Sequence, residues 1–368
     1  MSTVVFYISG HGFGHASRDI EVVNALLAAA PDVSVAIRTS AARWLFDLTV
    51  QGPFQYDTVR ADTGIVQHGS LALDAAASVA EARAFMATFD GRVAEEARAL
   101  RALGATLVVA DIPALGIAAA AAAGVPAVAL GNFSWDWAYS AYEGSADVVE
   151  AIGRAYEKAL LALRLPMCGG FERFPRVEDV PFIARISSRD PAETRAALGV
   201  PDGARAVLAS FGGHGVTSGV DLGAIARLEG YVTLLSSSVP FGTGALDEGS
   251  AGNLVIFDEP ALYARGFRYE DLVRAVDVVV TKPGYGIIAE CLANDTALLY
   301  TSRGDFLEYE VLVQAMPAFL RAAFIDQPAF FAGAWGPALD ALLAQPAPPT
   351  RPRTDGAAVV AARLGGMM

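Results

Sequence analysis

The chain has 368 residues, more than one hydrophobic core usually holds, so two domains are expected. Hydrophobic residues make up 54% of it and charged residues 18%, the composition of a well-buried globular protein rather than a disordered one. A formal charge of −13 argues against non-specific binding to nucleic acid or an anionic membrane surface, and leaves room for a local basic pocket.

Residues 3–9, TVVFYIS, are β-branched and aromatic and read as a buried strand; beyond Ser17 the apolar positions recur at helical spacing. Between them GHGFGHA (10–16) packs three glycines and two histidines into six positions. Glycines there let the backbone turn sharply and approach a ligand, and the N–H groups of a helix N-terminus favour anions, phosphate above all. A P-loop is ruled out, because Gly14 is followed by His15 and Ala16 rather than Lys and Ser or Thr. A dinucleotide fingerprint fits poorly: Gly10, Gly12 and Gly14 give G-x-G-x-G, with His15 in the last glycine's place. The second strand, VSVAIRTS, ends near Arg38 instead of an acidic residue, which keeps an NADP alternative open. A tight turn whose histidines merely cap the helix is the bland alternative.

Further strands near 54–60, 106–110 and 126–131 alternate with helices near 15–30, 76–103 and 112–123, the pattern of a parallel, doubly wound sheet. The run ALGIAAAAAAGVPAVALG is weakly apolar and broken by Gly124 and Pro126, so it reads as an alanine-rich helix and a buried strand, not a membrane span. No signal peptide is recognisable, and two cysteines, Cys168 and Cys291, make neither a disulfide framework nor a zinc site. A reducing cytoplasm is the expected setting. Around 172–191 a proline-containing, mixed-charge stretch reads as a linker. A second alternating series follows in RAVLASFGGHG, YVTLLSS, NLVIF, DVVVTKPGYG and TALLYTS. The tail QPAPPTRPRTDG reads as extended, and AAVVAARL as a final helix. The expected fold is therefore α/β, with two Rossmann-like doubly wound domains at 1–175 and 187–345 and a tail at 346–368. Ligands of such sheets bind beyond the carboxyl ends of the strands, so two facing domains enclose a cleft.

Several residues bear chemistry suited to that cleft. His15 stands at a helix start, where a neutral imidazole suits a general base, and His11 shares the ambiguity between base and phosphate donor. Asp111 ends the strand LVVAD and either orients the histidine or an acceptor, or caps the next helix. SFGGHG (210–215) and TKPGYG (281–286) each place glycines directly after a strand, and Glu290 on the following helix is a candidate for a ribose hydroxyl pair. His214 suits a hydrogen bond to diphosphate, and Lys282 either neutralises phosphate or is a solvated loop lysine. In NFSWDWAY (132–139), Trp135 or Trp137 suits sugar stacking, with Asn132 and Asp136 as hydrogen-bond partners; core packing is the alternative.

The segments SGHGFGHASRDIEVVNAL, GNFSWDWAY, FPRVEDVPFIAR, SFGGHG and TKPGYGIIAECLANDTALLYTSRGDFLEYEVL resemble, in order and over most of the chain, GT-B glycosyltransferases. The likeness is to the branch of the peptidoglycan N-acetylglucosaminyltransferase and, closer, to the N-terminal glycosyltransferase-like region of plant L-arabinokinases. The resemblance implies a nucleotide-sugar donor, a UDP-sugar, on the C-terminal domain, a hydroxyl acceptor on the N-terminal domain, and no metal or further cofactor. It assigns the ribose to Glu290, the diphosphate-facing turn to Gly284, Tyr285 and Gly286, and the approach to the donor sugar to 303–308, which includes Asp305. With the residues read above, Gly212, Gly213, His214 and Lys282 join the donor side, His15 or His11 with Asp111 the catalytic side, and Asn132, Trp135 and Asp136 the acceptor side. Residues 12–15 read Gly-Phe-Gly-His where the family has Gly-Gly-His, so which histidine is the base stays open. RGDFLE (303–308) lacks the family's glutamine pair, so the donor sugar stays open. A nucleotide-sugar 2-epimerase of the same architecture and a non-catalytic sugar-nucleotide-binding protein are the rival readings.

Overall fold

The computed structural model describes residues 2–212, 215–216, 219–238, 241 and 249–368. Its first sheet consists of β1 (Thr3–Ile8), β2 (Ser34–Thr39), β3 (Gln55–Thr58), β4 (Leu107–Asp111), β5 (Ala127–Phe133), β6 (Leu161–Gly169) and β7 (Val177–Asp179), all parallel, in the order β3-β2-β1-β4-β5-β6-β7. Alternation along β1 shows why both faces are covered. Val5 and Tyr7 pack toward the alanine-rich helix Ala114–Ala123, whereas Val4, Phe6 and Ile8 join the cluster under helix α1 (Phe13–Ala29). That second cluster also contains Val360, Ala361 and Leu364, so the last helix, Gly356–Gly365, returns to lie on the first sheet.

The second sheet comprises β8 (Arg205–Ala209), β9 (Tyr231–Ser236), β10 (Gly249–Ala251), β11 (Leu254–Phe257), β12 (Val278–Thr281), β13 (Ala297–Tyr300) and β14 (Ala322–Phe324). Their order is β10-β11-β9-β8-β12-β13-β14, with β10 antiparallel and the rest parallel. The region read as one helix near 76–103 is two, Ala75–Met86 and Phe89–Ala102, with non-helical backbone at Thr88 (φ −111, ψ 9) between them. Because β7 extends the first sheet beyond residue 175 and the final helix rejoins it, we propose that the first unit includes both and that the units meet between about residues 180 and 187.

In each sheet the first strand of the series has neighbours running off in opposite directions, β1 between β2 and β4, and β8 between β9 and β12. Such switch points open a crevice at the carboxyl ends. The loops after β1, β4, β8 and β12 are therefore the ones that meet at the cleft.

Candidate active site

Gly12 adopts φ +75, a left-handed conformation that side chains disfavour, and this lets the chain turn from β1 straight into α1. His15 is then the third helical residue, and Arg18 and Asp19 follow at i+3 and i+4 on the same side of the helix. Register places Asp111, the last residue of β4, beside Ile8 of β1, directly under that helix start. The two meet: His15 Nδ1 lies 2.8 Å from Asp111 Oδ1. Arg18 grips the same carboxylate with both arms, Nε to Oδ2 at 2.7 Å and Nη2 to Oδ1 at 2.5 Å, and its Nη1 donates to Asn132 Oδ1. Asp111 is completely inaccessible to solvent. Burial pushes its carboxyl up, but Arg18 and then His15 outweigh burial and hold it below the usual carboxylate range. Asp19, equally inaccessible, is pushed well above that range by burial and by Asp111.

The tautomer follows from this geometry. Asp111 is an ionised acceptor, so a 2.8 Å contact with Nδ1 requires Nδ1 to carry hydrogen. The 3.1 Å between Arg18 Nη2 and His15 Nδ1 then joins two donors that share one acceptor oxygen. The lone pair of His15 is left on Nε2, on the ring edge away from Asp111.

His15 lines a cavity of about 280 Å³ between the two domains. The opposite wall comes from β12 and the helix Tyr285–Ala293, through Lys282, Gly284, Tyr285 and Gly286. The two helix starts nearly touch, since a Cβ placed on Gly286 would lie 3.6 Å from the Gly14 Cα. Tyr285 stacks on Phe133 of β5 (5.8 Å, 18°), its hydroxyl buried and without a partner. The Lys282 ammonium makes no hydrogen bond or ion pair among the described residues; burial, then Arg303, depress it to about 7. Arg303 is itself buried, donating to the Pro283 carbonyl and to Glu308, with Nε unpaired. Glu308 is the carboxylate beside both cations, 3.2 Å from Arg303 Nη1.

Other candidates fall in different places. His11 lines the cavity, its ring pairing edge-on with Trp135 and its Nε2 2.8 Å from Gln67. Glu290 also lines it, but accepts from Arg185 Nε at 2.6 Å, while Glu270 stands 3.7 Å from the same guanidinium. Gly212 lines the cavity in a left-handed turn (φ +68), and Gly213 and His214 lie outside the described residues. Asp305 is exposed and is not part of the wall, where Arg303 and Glu308 stand instead.

The aromatic motif is structural in this arrangement. Trp135 is buried and donates its indole N–H to Asp62 at 2.9 Å, forming a floor beneath both histidines rather than an open stacking face. Trp137 packs against Gly169 and Gly170. Asp136 is buried away from the cavity with its Oδ1 unpartnered among the described residues, and Asn132 spends its oxygen on Arg18 and its amide on the Pro166 carbonyl. Exposed aromatics occur at the cavity mouth instead, where Phe13 and Trp44 meet edge-on at 5.9 Å and Trp44 approaches Tyr263 at 6.2 Å. Arg38 is held by Glu96 through Nε (2.7 Å) and Nη2 (3.2 Å) and by Asp57, so it has no charge to offer a ribose phosphate.

Sequence reasoning missed Arg18 and Arg185. Both lay inside motifs that had been singled out, but their partners are 93 and 105 residues away. The one local signal was an Arg-Asp pair at helical spacing after His15, on a helix otherwise apolar toward the sheet.

No family model matches the chain. It is 29% identical over 342 residues to the L-arabinokinase of Arabidopsis thaliana, covering 91% of this chain and 31% of that protein, so the chain spans about a third of its curated relative. Solved structures align over nearly the whole length. The calicheamicin glycosyltransferase CalG4 does so with TM-score 0.64 and 15% identity, covering 100% of this chain and 98% of that one. Arabidopsis thaliana UGT89C1 complexed with UDP gives 0.63 and 14%, covering 99% and 94%. Phytolacca americana UGT2, complexed with UDP-2-fluoro-glucose and pterostilbene, gives 0.63 and 12%, covering 100% and 94%. The chain has the GT-B fold. Among the described residues, no helix is long and apolar enough to cross a membrane.

Proposed function

We propose that the protein is a glycosyltransferase that moves a sugar from a nucleoside-diphosphate donor, a UDP-sugar, to a hydroxyl acceptor. The observation that carries this reading is the pairing across one cavity of a His15–Asp111 dyad with a helix N-terminus rich in unpaired donors. His15 Nε2 takes the acceptor's proton while Asp111, ionised and fixed, supports the imidazolium as it forms. The acceptor oxygen bonds to the anomeric carbon as the bond to the diphosphate breaks, which inverts that centre. Lys282, Arg303, the Tyr285 hydroxyl and the N–H groups around Gly284–Gly286 receive the charge that accumulates on the leaving diphosphate. Glu290, beside that turn, takes the ribose. The solved complexes of similar fold that hold UDP support a nucleotide donor.

A thermal-shift screen of nucleoside diphosphates and UDP-sugars tests binding, since a ligand at 100 times its dissociation constant stabilises by about 2.7 kcal/mol. UDP release in the presence of an acceptor panel tests turnover. A protein that no nucleoside diphosphate stabilises is not a transferase of this kind. One that epimerises the donor with no acceptor present belongs to the epimerase reading.

A further inference from the structure

Asp111 is asked to serve two partners. Its Oδ1 accepts from His15 at 2.8 Å and from Arg18 at 2.5 Å, while Oδ2 is taken by Arg18 Nε at 2.7 Å. A carboxylate that faced the imidazole alone would hold it in one tautomer and also favour its protonation, which is the wrong charge state for a base. Here a guanidinium lies 3.1 Å from the imidazole nitrogen, side chain nine-tenths buried, on the same carboxylate. A further hydrogen bond to Asn132, itself tied to the Pro166 carbonyl at 2.7 Å, keeps that guanidinium from swinging away.

We propose that Arg18 is a positioning residue for His15: it pins both oxygens of Asp111 and draws off part of their charge, so that the imidazole is oriented without being driven to its protonated form. The other groups around the ring leave this to Arg18. Asp62, from the segment after β3, feels His15, but burial raises its carboxyl and it is held by Ser9 and the Trp135 indole. Burial and Asp111 raise the Asp19 carboxyl well above its ordinary range, and Phe133 and Trp135 present uncharged rings. From the facing domain Tyr285 approaches Arg18 with an un-ionised hydroxyl. That His15 acts as a base rests on the function proposed above; the electrostatic coupling does not, and it is measured without substrate.

The experiment is an NMR titration of the imidazole resonances in the full-length protein. With four histidines in the chain, His15 is assigned from the signal lost in H15Q. In R18Q, which keeps an amide donor for Asp111 but no charge, the His15 midpoint should rise by about 1 pH unit or more, while R18K stays near wild type. The exposed His68 should not move. A folded R18Q with an unshifted midpoint overturns the proposal. Should R18Q fail to fold, D111N and R18M/D111N decide, because neither leaves a buried anion unpaired. Losing Arg18 in that background should again raise the midpoint by about 1 unit, and equal midpoints overturn the proposal. Where turnover is measurable, the acid limb of the rate should move with the NMR midpoint. A shifted midpoint in a protein with no turnover on any donor would instead overturn the transferase reading and leave this coupling standing.

Discussion

Two strand–turn–helix junctions face each other across the cleft, one from β1 into α1 and one from β12 into the helix Tyr285–Ala293, and they are finished in opposite ways. Beneath the first, the groups around Asp111 are paired, Arg18 with Asp111 and Asn132, His15 with Asp111, and Asp62 with Ser9 and Trp135, and the buried Asp19 carboxyl beside them is the one left unpartnered among the described residues. At the second, the Lys282 ammonium, the Tyr285 hydroxyl and Arg303 Nε have no partner among the described residues. Pairing of every polar group that touches the imidazole's carboxylate fixes geometry, which is what a proton acceptor needs. A buried excess of donors costs stability until an anion arrives, which is what a diphosphate site needs. The comparison predicts that one junction governs rate and the other affinity.

The sharpest way to break it is His15→Ala. Turnover should fall by about 10²- to 10⁴-fold, with UDP affinity by calorimetry nearly unchanged, because the donor is held on the opposite wall. The rate of the wild type should also fall at low pH, with that limb missing in the variant. If the substitution instead abolishes UDP binding and the pH profile of the residual rate keeps its shape, His15 is a phosphate donor and the division between junctions fails.

Glu290 tests the affinity side, with a complication that the structure exposes. Removing its carboxylate in Glu290→Ala leaves Arg185 buried with Glu270 at 3.7 Å as the remaining counter-charge, so stability should drop by about 3–5 kcal/mol in denaturant unfolding. Glu290→Gln keeps an acceptor for Arg185 and is the fairer probe of the ribose. Its UDP affinity should weaken by about 1.5–3 kcal/mol with kcat little changed. Unchanged affinity in a folded Glu290→Gln would mean that the carboxylate serves Arg185 alone.

The two junctions also differ in how legible they were. Strand, glycine turn and helix are local patterns, so both loops and the doubly wound fold could be read from residues close in sequence. β6 (LALRLPMCG) was missed because Arg164 and Pro166 interrupt its apolar run, and the break at Thr88 has no glycine or proline to announce it. The partners of the site residues were not legible, since Arg18 and Asp111, or Arg185 and Glu290, meet only after the sheets form. The tryptophans misled for another reason. An aromatic side chain gives the same signal whether it will stack on a sugar or, like Trp135, fill the floor under His11 and His15.

The smallest predicted effect concerns Lys282 and separates a phosphate ligand from a solvated loop lysine. Burial and Arg303 bring its ammonium to about 7 from an ordinary value of 10.5, so between those pH values the unfolded chain binds a proton that the ligand-free fold does not. Stability therefore rises with pH across that window, and the unliganded protein is weakest, relative to its alkaline value, below about pH 7. A diphosphate beside Lys282 reverses the preference by favouring the charged form, so UDP binding must take up a proton above pH 7. The nucleotide's own terminal ionisation, near pH 6 for such phosphates, is complete there and contributes nothing to the slope. UDP affinity should fall as pH rises above 7, by up to about tenfold per pH unit, and calorimetry in buffers of different ionisation enthalpy should show the uptake. Lys282→Gln should bind UDP with a pH-independent constant in the same range. If the wild type is as flat as the variant, the lysine is not on the diphosphate, and the diphosphate is left to Arg303 and the N–H groups of the helix start.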